Sequence, residues 1–329
     1  MIISRTPFRI SFFGGGTDYP TWYEENGGGV ISATINKYCY ITARYLPPFF
    51  EYKNRIRYYK KEETQTLEEI QHPSVRETAK YLGIDQGIEI VHSGDLPAQS
   101  GLGTSSTFTV GLLNSLHGLR NYMPTKRELA LDAIHIEQKL IKESVGSQDQ
   151  TAAAFGGINR ITFSKAHTIE VDPIIISKER TKELQDSLLL CFTGFARTAS
   201  TIAEQQISAI NSRKSELTEM MQLSDAAFKT LSASNTPIVE FGKLLDVQWG
   251  LKKRLSDNVS NDEIDKIYEA GMKAGAIGGK LLGAGSGGFI LFFAESHMHQ
   301  KIKNALPSKI FVPIRFEFTG SKIIYFSHD

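Results

Sequence analysis

Hydrophobic and polar positions change rhythm along the chain, and each rhythm names an element. In FRISFF, Phe8, Ile10 and Phe12 alternate with Arg9, Ser11 and Phe13, the period of two that gives a strand one inward face. GGGTD then breaks the strand. The run GGGVISATINKYCYITARYL reads as further strand containing a hairpin, and KNRIRYYKK as another hairpin strand. A short helix is expected over Ser74 to Leu82 and a buried strand over Ile88 to His92. Phe108, Leu112, Leu116 and Leu119 recur at helical spacing and predict a helix from Thr104 to Leu119. Pro124 and Thr125 open the next helix, which runs to the neighbourhood of Glu143, with Thr125 and Glu128 spaced as a capping box.

GSQDQTAAAFGG reads as a loop entering a short helix of small residues, followed by strands over Ile158 to Phe163 and Leu188 to Phe192. The chain between Ser200 and Ser256 is mostly helical, and Asp262 to Ala274 is another helix. GGKLLGAGSGG is a glycine loop, Phe289 to Ala294 an apolar strand, and RFEFTGSKIIYF a closing hairpin. The pattern predicts an α+β protein in two units, divided between Phe163 and Leu188.

Composition narrows the function classes. The 329 residues are 41% hydrophobic and 22% charged, enough for a large core without staples. With 37 basic and 36 acidic residues the net charge is +1, so no global field draws the chain to nucleic acid or a membrane. Neither is expected as a partner. The tyrosines and basic residues interleaved between Arg44 and Lys60 read as a solvated hairpin face. Cys39 and Cys191 have neither metal nor disulfide spacing, which fits a reducing, cytoplasmic setting. Charges interrupt the apolar residues of MIISRTPFRISFFGGG, so it does not read as a signal peptide. Nothing in the residues sets the oligomeric state, and a homo-oligomer stays open.

LPAQSGLGTSS, between a strand and a helix, is a candidate anion site. Backbone N–H groups at such a junction are unsatisfied, and the helix dipole favours negative charge. Gly101 and Gly103 allow close approach of a ligand, while Thr104, Ser105 and Ser106 add hydroxyls; helix capping is the alternative use of those hydroxyls. No GK[ST] follows the glycines, so this is not a Walker loop. Gly283 to Gly288 fits GxGxxG, but a helix precedes it and a strand follows, the reverse of a dinucleotide-binding unit. Glu137 shares a helical stripe with Ala130, Ala133, Ile134, Leu140 and Ile141. An inward carboxylate there needs a cation or strong donors, and its oxygen suits Mg²⁺; a buried salt bridge is the alternative. Asp149 and Asp18 lie in polar turns, where capping and turn roles compete with ligand binding. His297 and His299 bracket HMH, but no third ligand accompanies them.

Together these pieces resemble the GHMP kinase family, the group of galactokinase, homoserine kinase, mevalonate kinase and phosphomevalonate kinase. The first family motif is matched by Thr6 to Tyr19, the second by Pro97 to Ser105 with Thr104 in place of its first Ser, and the third by Gly279 to Gly288. The resemblance implies a ribosomal protein S5 domain 2-like N-terminal domain (1–180) and a ferredoxin-like C-terminal domain (181–329). It implies ATP and Mg²⁺ as cofactors. Pro97, Ser100, Gly101, Leu102, Gly103, Thr104, Ser105 and Ser106 would wrap the ATP phosphates, and Ser105 and Glu137 match the positions that hold Mg²⁺. Asp149 matches the catalytic Asp and Arg9 the basic residue beside it. Asp18, Gly15, Gly16, Thr17 and Gly285 fall at the acceptor, with Arg197 the candidate for a phosphate that the acceptor carries. Gly15 and Gly16 stand where galactokinases have an acidic residue and a His, which disfavours galactose. FFGGGTDYP with VGSQDQTAAAFGG more closely resembles D-glycero-D-manno-heptose 7-phosphate kinases of nucleotide-heptose synthesis. The implied reaction is phosphorylation of a sugar's anomeric hydroxyl. Fucose, another hexose, a mevalonate-like alcohol, or an inactive sugar- and ATP-binding relative are the alternatives.

Overall fold

The structure is a computed structural model and describes residues 1–166, 168–195 and 199–327. In chain order the first half holds β1 (Ile2–Phe13), α1 (Pro20–Asn26), β2 (Gly28–Tyr45), β3 (Asn54–Arg57), β4 (Lys61–Thr64), α2 (Pro73–Tyr81), β5 (Ile88–Gly94) and α3 (Thr104–Leu119). Next come α4 (Lys126–His135), a π-helical segment (Ile136–Ile141), α5 (Gln148–Phe155), β6 (Ile158–Phe163) and β7 (Ile169–Pro173). The second half has α6 (Lys178–Asp186), β8 (Leu188–Phe192), α7 (Ala199–Ala209), α8 (Lys214–Ser232), α9 (Val239–Leu255) and α10 (Asp262–Lys273). It closes with β9 (Gly278–Leu281), β10 (Phe289–Phe293), α11 (His299–Ala305), β11 (Ile310–Val312) and β12 (Lys322–Phe326).

Two sheets organise these elements. The first has the order β12-β1-β2-β5-β3-β4, with β6 on β2 and β7 on β6; the second has the order β11-β8-β10-β9. α3 lies across the first sheet at close range: Ser4 Oγ donates to Gly111 O at 2.8 Å, and Ser115 Oγ to Ser4 Oγ at 2.8 Å. Its apolar residues Val110, Leu112, Leu113 and Leu116 are fully buried. Phe241 of α9 packs edge-on against Phe12 at 5.5 Å and Phe13 at 5.0 Å, joining the second half to β1.

Four expectations change. The run from Gly28 to Tyr45 is one strand, without a hairpin. Its first part pairs with β6 and its last with β5, so both halves are held in line. Asn36 does not turn the chain, because its N–H donates to Arg315 O and its side-chain oxygen accepts from Arg315 N. The carboxy-terminal stretch is not a hairpin either: Lys322–Phe326 pairs with the start of β1. Gly320 there serves a close approach, since a Cβ would lie 2.0 Å from Ala154 O. The helix after Thr125 keeps its capping box but leaves α-geometry at Ile136 and widens into π-geometry. Gly278–Leu281, read as loop, is an inner edge of the second sheet.

Candidate active site

β1 carries Arg9 into the region between the sheets, and the first turn of α5 carries Asp149 to meet it. Arg9 Nε donates to Asp149 Oδ1 at 2.7 Å and Arg9 Nη2 to Oδ2 at 2.8 Å, a two-bond fork. Arg9 Nη1 donates to Gly101 O at 2.8 Å, and Arg9 N to Leu102 O at 3.2 Å. One guanidinium therefore fixes both the carboxylate and the glycine loop. The arginine side chain is 4% exposed and the aspartate 26%, so the carboxylate keeps an open side. A carboxylate aimed this way can accept a proton from a hydroxyl brought to that side.

The loop itself is shaped by left-handed glycines. Gly103 caps α3 at φ +71 and lies so close to the ion pair that a Cβ would be 3.1 Å from Asp149 Oδ2. No side chain caps the N-terminus of α3, so its first N–H groups stay available to an anion. Pro97 and Ser105 are exposed, Gly101, Gly103 and Thr104 are half-buried, and Ser100, Leu102 and Ser106 are buried. Thr104 Oγ1 is engaged, accepting from Gln99 N at 3.1 Å. The late glycine loop packs directly on this one: a Cβ on Gly101 would lie 2.4 Å from Leu282 O.

The π-helical segment delivers Glu137 to a fully buried position. Ser106 Oγ donates to Glu137 Oε2 at 2.8 Å, and Gln150 Nε2 donates to the same oxygen. Oε1 has no partner among the described residues. Burial pushes the Glu137 carboxyl up to about 7; the hydrogen bonds from Ser106 and Gln150 oppose that shift, and the charge on Glu143 adds to it. Ser105, by contrast, faces solvent, and the hydroxyl that the fold brings to Glu137 is that of Ser106. Among the described residues no three His, Cys, Asp or Glu side chains cluster to hold a metal.

Asp18 is the second buried carboxylate. Its Oδ1 accepts from Gly16 N at 2.9 Å and its Oδ2 from Gln148 N at 3.3 Å, so it is tied to the segment that presents Asp149. Burial raises its pKa, and the charge on Asp149 raises it further. Thr17 is buried and spends its hydroxyl on Gly14 O at 2.7 Å. Gly15 faces open space apart from Ser11 Oγ, while Gly16 abuts Leu217 and Leu255. Gly285 lies within the late loop, against Val259. Arg197 falls outside the described residues.

Sequence reasoning missed two lysines here. Lys252 on α9 and Lys280 on β9 are 6% and 2% exposed, and both interact electrostatically with Arg9 and Asp18. A signal for Lys252 was present: Phe241, Leu245, Gln248, Lys252 and Leu255 share one helical stripe.

With this geometry in place, the relatives are informative. A model of the GHMP kinases N terminal domain matches residues 70–157, and one of the GHMP kinases C terminal domain matches 231–311. The chain is 30% identical to D-glycero-alpha-D-manno-heptose 7-phosphate kinase of Campylobacter jejuni, over 97% of this chain and 96% of that one. It is 26% identical to a galactokinase of Pyrococcus furiosus, over 93% and 92% of the two chains. The structure of a D-glycero-D-manno-heptose 1-phosphate kinase from Bacteroides thetaiotaomicron superposes with a TM-score of 0.81, at 24% identity, covering 99% of this chain and all of that one. The chain belongs to the GHMP kinase family and is an ATP-dependent sugar kinase.

Proposed function

We propose that the protein transfers the γ-phosphoryl group of ATP to the anomeric hydroxyl of D-glycero-D-manno-heptose 7-phosphate, giving the 1,7-bisphosphate and ADP for nucleotide-heptose synthesis. The observation that carries the chemistry is the fork from Arg9 to Asp149 beside the glycine loop, at 2.7 and 2.8 Å. The relative of Campylobacter jejuni supports this acceptor in particular.

Phosphoryl transfer needs an aligned nucleophile and neutralised charge more than covalent help. Asp149 takes the proton of the anomeric hydroxyl as that oxygen bonds to the γ-phosphorus. The bond from the γ-phosphorus to the bridging oxygen breaks, and ADP leaves with the electron pair. Arg9 holds the carboxylate in one orientation and, through Gly101 O, holds the loop in register with it. Pro97 to Ser106, with the free N–H groups of α3, receive the phosphates. Asp18 and the glycines beside it, together with Gly285, receive the sugar hydroxyls.

Mg²⁺ fits the residues present. Glu137 has an unpartnered buried oxygen, the neighbouring hydroxyls are also hard oxygen donors, and Mg²⁺ is usually held by one or two carboxylates together with phosphates. Glu137, with Ser105 or Ser106, would hold it, and when bound it neutralises charge on the β- and γ-phosphates. We take 1–180 and 181–329 as the two domains, with β12 lent back to the first sheet. We also take the reaction to be cytoplasmic, a reading supported by two free buried cysteines; no helix of the described residues is long and apolar enough to cross a membrane.

The test is ADP release from a panel of heptose 7-phosphate, fucose, galactose, mannose and mevalonate. Heptose 7-phosphate should have the highest kcat/KM by at least about tenfold, equivalent to about 1.4 kcal/mol of transition-state preference. Faster turnover of any other member would overturn the assignment of the acceptor.

A further inference from the structure

Two buried ammonium groups meet at the junction of the halves, and among the described residues their bonds go to uncharged carbonyls alone. Lys252 Nζ donates to Leu281 O at 3.2 Å and to Gly283 O. Lys280 Nζ donates to Ser11 O at 2.9 Å and Phe12 O at 3.0 Å. When protonated, each amine has three N–H donors and so keeps one that these bonds do not use. The nearby carboxylates are already committed, Asp149 to Arg9 and Asp18 to backbone N–H groups. Arg9 and the two lysine amines thus share a buried region with two carboxylates, and burial, with the charges on Lys252 and Arg9, holds the Lys280 amine well below its ordinary pKa; buried charge without a counter-charge is expensive. Burial pulls the Lys252 ammonium down to about 7, with the charge on Arg9 adding to the effect.

Neutral polar groups at the same place are also unsatisfied. Gln248, one helical turn before Lys252 and on the same face, has neither amide atom partnered and is fully buried. Ser11 Oγ and Ser32 Oγ, directly opposite each other on β1 and β2, are buried without partners. Ser11 borders the GGGTD loop, and Lys252 the late glycine loop. Ser11 Oγ lies 3.5 Å from where Gly15 would carry a Cβ, and Leu255, the next turn of α9, lies 3.6 Å from that point on Gly16. What these donors lack is an anion with several acceptor oxygens.

We infer that Lys252, with Lys280 and Gln248 beside it, seats the phosphate that the sugar acceptor already carries, so that Lys252 sets the preference for a phosphorylated sugar. This rests on the heptose phosphate reading above. An ammonium acts on a phosphate as a point charge, and closing this contact supplies the counter-charge that the fold itself withholds.

The experiment compares kcat/KM for heptose 7-phosphate with that for unphosphorylated heptose in the wild type, Lys252→Met and Lys252→Arg. Met keeps the aliphatic packing of the lysine stem and removes the charge. Lys252→Met should lower the preference for the phosphorylated sugar about 10- to 100-fold, with the loss in KM, as expected for a hydrogen bond to a charged group. Lys252→Arg should keep most of the preference. A melting curve and ADP binding show that each variant is folded, and Lys252→Gln serves if the Met variant does not fold. Equal loss on both sugars would overturn the inference, because it marks a contact to ATP or to the loop. An unchanged preference would overturn it too. If the wild type itself prefers the unphosphorylated sugar, the heptose phosphate reading and this inference both fall. If the wild type prefers the phosphate and Lys252→Met still does, the inference falls alone.

Discussion

Asp149→Asn perturbs one atom at the centre of the site. In the native pair both carboxylate oxygens accept from Arg9, at 2.7 and 2.8 Å. The amide retains one acceptor and turns an NH₂ group toward an arginine donor. A hydrogen bond to a charged group contributes about 1.5–3 kcal/mol, and partial exposure of Asp149 puts the loss toward the lower end. That is a fall in Tm of a few degrees for a chain of this size. The effect on rate is of another order. Loss of a general base slows turnover by about 10²–10⁴, or about 3–5 kcal/mol of barrier. A protein destabilised by about 2 kcal/mol remains almost wholly folded at 25 °C, so the two effects separate. The assay is steady-state ADP release with heptose 7-phosphate, alongside calorimetric binding of ATP and a melting curve. The reasoning predicts kcat down at least about 100-fold with ATP affinity within about threefold of wild type. Near-native kcat in a folded, ATP-binding variant would remove Asp149 from proton transfer.

Further outcomes test other parts of the site and its supporting core. Gly103→Ala forces a side chain into left-handed backbone, 3.1 Å from the Asp149 carboxylate, and should cost about 1–2 kcal/mol of stability by chemical denaturation and lower kcat; unchanged values would mean that the loop relaxes freely. Glu137→Gln should abolish the Mg²⁺ dependence of ATP binding measured by titration calorimetry, while Ser106→Ala should weaken it by about 10-fold through loss of a bond to the carboxylate; a wild-type Mg²⁺ titration for Glu137→Gln would remove the carboxylate from the metal site. Because the folded-state pKa of Lys252 lies below its unfolded value, the unfolded chain binds more protons between pH 7 and 10.5, and wild-type stability should rise relative to Lys252→Met across that window; a flat difference in denaturant midpoints from pH 7 to 9 would contradict the burial of that ammonium. Leu112→Ala, in the core beneath α3, should cost about 2–5 kcal/mol of stability by chemical denaturation and leave kcat near wild type.

Legibility followed the physics of each signal. The helix Thr104–Leu119 and the strands Ile158–Phe163 and Leu188–Phe192 coincide with their sequence boundaries, because an apolar stripe or run ends at a real break in each. Glu137 is buried as its stripe implies, although π-geometry rather than α-geometry delivers it there. α6 is not legible in the pattern, because KERTKELQD is polar on nearly every side and only Arg180 and Leu184 go inward. Local pattern pairs β12 with its sequence neighbour, because it carries no information about a partner more than three hundred residues away. The same limit hid the meeting of Arg9 with Asp149, 140 positions apart, which family resemblance suggested and spacing did not. Lys252 was hidden differently. It stands in KKR, a run that reads as a solvated helix end, yet its phase matches Leu245 and Leu255. The basic hairpin face is only partly solvated, for the converse reason: Arg44 and Arg55 converge on Glu89, at 2.6 and 3.2 Å, so their charges are spent within the sheet.

The measurement that bears most directly on the account is a crystal structure with a non-hydrolysable ATP analogue and heptose 7-phosphate bound together. The account predicts the analogue's phosphates on the N–H groups at the start of α3. It predicts the anomeric oxygen within about 3 Å of an Asp149 carboxylate oxygen, in line with the terminal phosphorus. An analogue bound with its terminal phosphate remote from Asp149, or a sugar bound with another hydroxyl at that carboxylate, would contradict it.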